Sequence, residues 1–138
     1  MELDPDLKWK DIYDTGFNSH NGPIRYARVE DGWICALELD KRHVNFGGVA
    51  HGGVMMWLAD VCMGVGAHKS ADDAFCSTIE LDIHLMAAAK IGQTLICKSR
   101  LNRAVSGVFF MECELWAGGR QVARASGIWK LLNRPKAA

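Results

Sequence analysis

The segment Asn45-Phe46-Gly47-Gly48-Val49-Ala50-His51-Gly52-Gly53 leads into an apolar run, Val54 to Ala67, whose only charged residue is Asp60. A carboxylate surrounded by apolar side chains loses hydration, so its presence there points to a use for the charge. Gly52 and Gly53 stand where a helix over that run would begin. The first turn of a helix carries unpaired N–H donors and the positive end of the helix dipole, and glycine lets a ligand approach that backbone closely. A carbonyl placed there would be polarised, and an oxyanion formed by attack on it would be held better than the ground state. Asn45 could add an amide donor or hold a water. The combination suits acyl-group chemistry, with Asp60 as general base on water or as direct nucleophile.

Plainer roles compete for the same residues. Gly52 and Gly53 also suit a tight strand-to-helix turn with Asn45 as an ordinary turn residue. Asp60 could be satisfied by a neighbouring loop or face solvent. His51 could act as a base, or its imidazole could hydrogen-bond the loop and fix the turn. Met55, Met56 and Trp57 could line an acyl pocket that takes aromatic or medium-length chains, or simply be core.

Spacing adds a constraint. Asp60 lies eight residues beyond Gly52, which on a helix is about 12 Å at ~1.5 Å per residue. Reacting atoms must come within roughly 3–3.5 Å, so one chain cannot easily bring its own helix start and its own Asp60 to one carbonyl. Two such helices packed antiparallel across a two-fold axis can. The spacing therefore predicts two equivalent sites at a homodimer interface.

Around this centre the chain divides into recognisable elements. Asp4-Pro5 is a suitable helix start, with Leu7, Trp9, Ile12 and Tyr13 as anchors, so residues 1–22 read as a flanking helix and loop closed by Asn21-Gly22-Pro23. Ile24–Val29 and Trp33–Leu39, joined by Glu30-Asp31-Gly32, read as a hairpin. Val54–Ala67 is apolar nearly all round, the pattern of a helix enclosed on every side. Ile79–Leu85 alternates with period two, a strand with one face to the core. Thr94–Leu101, Val108–Trp116 and Gln121–Leu131 follow as a meander, turned at Ser106-Gly107 and Gly118-Gly119, which makes four consecutive antiparallel strands after the helix, and Arg134–Ala138 reads as a frayed tail. The expected architecture is α+β, a single domain over 1–138 in which a curved antiparallel sheet wraps one central helix.

Composition narrows the function classes. Sixteen basic and sixteen acidic residues cancel, so no broad field favours nucleic acid or an anionic membrane. The acidic start Met1–Asp6 lacks the basic and apolar parts of a secretion signal, and Val54–Ala67 is too short and interrupted to span a bilayer. A soluble, cytoplasmic protein is expected. Cys35, Cys62, Cys76, Cys97 and Cys113 are widely spaced without any C-x-x-C, which fits reduced core thiols. His20, His43, His68 and His84 have no metal-ligand spacing, and no phosphate-binding glycine loop, serine-hydrolase elbow or zinc-protease motif occurs. No metal or redox cofactor is expected.

Taken together, Asn45-x-x-Gly48-x-x-His51-Gly52-Gly53 with Asp60 in the following helix resembles the hotdog-fold acyl-CoA thioesterases, in particular the phenylacetate-degradation (PaaI-like) branch, over about Asp11 to Leu131. The resemblance implies hydrolysis of an acyl-CoA to free acid and coenzyme A by a dimer, pairing further into a dimer of dimers. It implies that Gly52 N–H and Asn45 hold the thioester carbonyl, that the partner's Asp60 activates water or attacks, and that His51 shapes the loop. Gly48, Gly53, Met56 and Trp57 would contact substrate. It also places a hydroxyl residue early in the strand after the helix, where Thr78 matches as a group that orients water. Strand parity puts Thr78 with Glu80 and Asp82, away from Ile79 and Leu81, facing a partner or water. Relatives often carry a proline and a basic residue just after that strand, where this chain has Met86-Ala87-Ala88-Ala89-Lys90. Lys90, Arg100 and Arg103 are candidates for the coenzyme A phosphates, or ordinary solvated charges. Two other functions fit the fold: an acyl-CoA sensor without turnover, and a hydratase or dehydratase, which needs an acid and a base converging on adjacent carbons.

Overall fold

The computed structural model describes residues 3–132, so the tail expected at Arg134–Ala138 lies outside the described residues. The order is β1 (Lys10–Asp11), α1 (Phe17–Asn21), β2 (Ile24–Val29), β3 (Gly32–Glu38), a 3-10 turn at Lys41–His43, α2 (Gly52–Ser70), β4 (Cys76–Leu85), β5 (Thr94–Val105), β6 (Val108–Ala117) and β7 (Arg120–Leu131). The strands form one seven-stranded sheet in the order β1-β2-β3-β5-β6-β7-β4, antiparallel at every step.

Alternation in the last strands explains which side of the sheet holds the core. Phe109, Met111, Cys113, Leu115 and Ala117 of β6 are buried, and so are Ala123, Ala125, Gly127 and Trp129 of β7, while Glu114, Arg124, Ser126 and Lys130 between them are exposed. The buried set meets α2, which touches β3, β4, β5, β6 and β7. Leu58 and Met63 of α2 lie fully buried against Leu37, Leu95, Leu115 and Val122 in one continuous cluster. The expected α+β architecture is present, a sheet curved over one long helix.

The hairpin, the long helix and the meander follow the sequence reading, and the turns at Ser106-Gly107 and Gly118-Gly119 take the left-handed backbone that tight connections need. The five cysteines are free thiols, four of them buried, and burial pushes the Cys35 and Cys97 thiols up.

Four details differ from expectation. Residues 4–13 do not form a helix. Asp4 turns the chain, its carboxylate accepting Asp6 N–H at 2.8 Å and its carbonyl accepting Trp9 Nε1 at 3.0 Å. The chain then extends, so that Leu7 and Trp9 pack on Ala27, Ile34 and Ile96 while Ile12 reaches the main core. This is period-two spacing, and β1 completes it by pairing with β2. The helix of this region is α1, further along. β4 joins β7 at the sheet edge and is not paired with β5, because α2 delivers it to the far side.

Third, α2 is not enclosed on every side. Met55, Leu58, Ala59, Cys62, Met63, Gly66 and Ala67 are buried, whereas Gly53, Met56, Trp57, Asp60, Val61, Gly64, Val65 and His68 remain partly accessible. Fourth, β4 carries a bulge. Thr78 pairs with Trp129 and Glu80 with Ile128, leaving Ile79 between them without a partner in the register and 60 % exposed. One extra residue in a strand reverses the facing of everything before it. Thr78 therefore shares the helix-facing side with Leu81 and Ile83, not the outer side with Glu80 and Asp82.

Candidate active site

The loop before α2 is a closed turn built by Asn45. Its N–H donates to Val49 O at 2.8 Å, and its side-chain Oδ1 accepts Gly47 N–H at 2.8 Å and Val49 N–H at 3.4 Å. Gly48 supplies the left-handed residue, with φ of 78°. The plainer role proposed for Asn45 is thus real, and it leaves the side-chain amide N–H groups without an acceptor among the described residues. The turn is pinned on both sides: Ala50 N–H donates to Ala89 O at 2.8 Å and His51 N–H to His43 O at 2.7 Å.

His51 caps α2. Its Nδ1 accepts Gly53 N–H at 2.8 Å, the loop-fixing role weighed in the sequence. Gly53 N–H is therefore spent inside the protein. Gly52 N–H has no acceptor among the described residues and is the free donor at the positive end of the helix. A Cβ on Gly52 would stand 2.9 Å from Leu85 Cδ1 of β4, so the strand lies close beside this backbone.

Asp60 sits on the partly accessible side of α2, two helical turns further on. Thr78 Oγ1 donates to its Oδ1 at 2.7 Å. The β4 bulge makes this bond possible, since without it Thr78 would face away. The hydroxyl fixes one carboxylate oxygen and leaves the other free to accept a proton.

The remaining residues separate by position. Met56 is 42 % exposed on the same open stripe of α2. Trp57 is half-buried beside α1, and Met55 is core. Lys90 pairs with Val49 in an isolated bridge, which puts it against the glycine loop with an exposed side chain. Arg103 is exposed near the other end of β5, following a second bulge. At ~3.3 Å per residue the length of β5 separates Lys90 from Arg103 by roughly 30 Å, so the two cannot clasp one phosphate within a single chain. Arg100 is paired with Glu112 on the outer face. A polar depression there, between Asp82, His84, Lys98, Arg100, Glu112 and Arg124, lies across the sheet from α2 and contains none of the predicted site residues apart from Arg100. Among the described residues no group of His, Cys, Asp and Glu is arranged to hold a metal ion, and no helix is long and apolar enough to cross a membrane.

Sequence reasoning missed the neighbours of Trp57. Its Nε1 donates to Asn18 Oδ1 at 2.6 Å, Phe17 meets the indole edge-on, and His43 stacks on it. His43, set aside for lacking metal spacing, is buried. No spacing signal links positions 18, 43 and 57, which only the folded chain brings together.

Comparison with known proteins agrees with the fold and gives the family. The thioesterase superfamily matches residues 47–124, more than half the chain, from the glycine loop through most of the meander. PA0474 of Pseudomonas aeruginosa, named for an inferred esterase activity, is 33 % identical over 99 residues, covering 71 % of this chain and 74 % of that protein. Among solved structures, zebrafish thioesterase superfamily member 2 superposes with a TM-score of 0.77 at 22 % identity, covering 86 % of this chain and 88 % of that one. The hypothetical thioesterase from Streptococcus pneumoniae, solved with coenzyme A, gives 0.72 at 19 % identity over 80 % and 90 % of the two chains. The Escherichia coli PaaI protein of the phenylacetic acid degradation operon gives 0.75 at 14 % identity over 84 % and 83 %. These three share the fold, while the family match and the Pseudomonas relative carry the kinship: the chain belongs to the thioesterase superfamily and is a thioester hydrolase of the hotdog fold.

Proposed function

We propose that this protein hydrolyses an aromatic or medium-chain acyl-CoA to the free acid and coenzyme A, at two equivalent sites each shared by the protomers of a homodimer. The observation that carries the reading is the pair of groups on the open side of α2: an unspent Gly52 N–H at its start, and Asp60 held by Thr78 two turns on. They are too far apart to act on one carbonyl in one chain. The surfaces left uncovered support a partner in that position. Among the described residues the outer edge of β4 has no neighbouring strand, and Ile79, Leu85, Met86 and Met56 are exposed on β4, at its end and on α2.

In this reading the thioester carbonyl lies at one protomer's Gly52 N–H, with the Asn45 side-chain amide as second donor. The other protomer's Asp60 takes a proton from water as its oxygen attacks the carbonyl carbon. The two donors stabilise the oxyanion, and its collapse breaks the C–S bond to release the coenzyme A thiolate, which takes up a proton. Thr78 keeps the carboxylate in the attacking orientation. Direct attack by Asp60 through an anhydride uses the same geometry. Lys90, bridged to Val49 of the loop, would meet an anionic part of coenzyme A, with which one structural neighbour was solved. The chemistry needs no metal or redox cofactor. Membership of the phenylacetate-degradation branch, pairing of dimers into tetramers, a single domain over the whole chain and a cytoplasmic location belong to the same proposal.

Mixing inactive Asp60→Asn and Gly52→Val proteins, with dimer exchange followed by a tag, tests the shared site. Random exchange makes half of the dimers heterodimers, each with one intact site, so about a quarter of wild-type thiol release should return. Heterodimers that form without any recovery would place the whole site in one chain.

A further inference from the structure

The open stripe of α2 runs between two flanks, and one side-chain hydrogen bond ties each flank to it. On the β4 side Thr78 donates to Asp60. On the α1 side Trp57 Nε1 donates to Asn18 Oδ1 at 2.6 Å. Trp57 precedes Asp60 by three residues and so neighbours it on the helix surface. Its indole is held between Phe17, edge-on with ring centres 5.5 Å apart, and His43, stacked at 6.5 Å.

α1 itself is strapped down with unusual thoroughness for five residues. His43 Nδ1 accepts Asp40 N–H at 2.9 Å, which leaves Nε2 to donate to Asn21 O at 2.6 Å. Arg42 donates to His20 O and Gly22 O, each at 2.7 Å. The Arg42 guanidinium also holds the Asp40 carboxyl well below the usual carboxylate range. Yet α1 has no buried residue, and Phe17 is 65 % exposed. Ordering such a segment costs conformational entropy that no core burial offsets. What the straps secure is the position of the Trp57 indole and the wall that α1 raises beside it.

We infer that Trp57 and α1 form the closed end of the acyl site and set the length and polarity of the acyl group that the enzyme accepts. The inference rests on the proposed thioesterase site, because it takes Asp60 as the reacting end. With Nε1 spent on Asn18, Trp57 turns only hydrocarbon toward the stripe. The wall therefore admits alkyl and aryl ends and rejects acyl groups ending in a hydroxyl or carboxylate, which would be stripped of water with no partner. Asn18 and Phe17 act through Trp57 as positioning residues.

Thiol release measured over butanoyl-, hexanoyl-, decanoyl-, tetradecanoyl- and phenylacetyl-CoA, in wild type, Trp57→Ala, Phe17→Ala and Asn18→Ala, tests this. Removing the wall should raise kcat/KM for tetradecanoyl relative to hexanoyl by at least about tenfold in Trp57→Ala, with smaller shifts in the same direction for the two α1 variants. Should Trp57→Ala fail to fold, Phe17→Ala and Asn18→Ala decide alone, since α1 lies outside the core. A uniform loss across all chain lengths, with turnover still dependent on Asp60, would overturn the wall and leave the thioesterase site standing. Wild-type thiol release indifferent to Asp60→Asn would overturn both.

Discussion

The two sides of α2 are made of similar residue types and do different work. On the buried side, Met55, Leu58, Ala59, Cys62, Met63 and Ala67 interlock with the sheet. On the open side, Gly53, Met56, Trp57, Asp60 and Gly64 stay within reach of a ligand or a second chain. A helix of a self-sufficient small protein normally sorts apolar residues to the core and polar ones to water. This one is apolar on both sides with a single carboxylate on the open one. The contrast teaches that hydropathy alone does not mark what one chain buries, since this chain dries only half of this helix. In the proposed dimer, the open half is where substrate and partner would strip a charge of water instead of its own core.

Substitutions on the two sides should therefore separate activity from stability. The largest effect is expected at Asp60. Asp60→Asn should lower kcat for acyl-CoA hydrolysis by about 10³-fold, the span of a lost general base, while the urea midpoint stays near wild type. A comparable loss of stability would show that the carboxylate is structural. Next is the core side. Leu58→Ala should cost about 2–5 kcal/mol in denaturant unfolding, against less than ~1 kcal/mol for Met56→Ala, although the two positions are two residues apart. Equal costs would mean that the open side is as tightly packed as the core, as a dimer stable through unfolding would make it. Repeating the measurement at several protein concentrations distinguishes that case, because dimer stability rises with concentration. The smallest effect concerns Thr78. Thr78→Val removes one hydrogen bond to a charged group and should lower kcat about tenfold, with stability changed by ~1 kcal/mol. Thr78→Ser, which keeps the hydroxyl, should restore most of the rate.

Much of the site was legible because its signals are local. Glycine at a helix start, an N-capping His51, a turn residue at Asn45 and a carboxylate in an apolar run are each readable from neighbours in the chain. Resemblance singles out Thr78 but parity turns it to the wrong face, because a bulge at Ile79 leaves no mark in an alternating pattern. The segment from Leu7 to Tyr13 misled in a similar way. Its cap and proline suit a helix, but apolar residues at 7 and 9 are better buried on the outer face of the sheet by an extended chain. Asn18, His43 and Trp57 could not be linked at all, since their contact depends on how the 3-10 turn and α1 fold back onto α2.

The sequence by itself determined the local alphabet of this protein: where turns must fall, which run becomes the long helix, and which residues are the candidates for acyl chemistry, with Gly52 and Asp60 eight residues apart. These follow from backbone sterics and hydropathy over a few residues. Only the tertiary structure decided that β4 crosses to the sheet edge, that one side of α2 stays uncovered, and that Thr78 turns toward Asp60 while α1 closes over Trp57. Those outcomes depend on pairings between residues far apart in sequence, whose free energy is settled by the packing of the whole sheet and by no single segment.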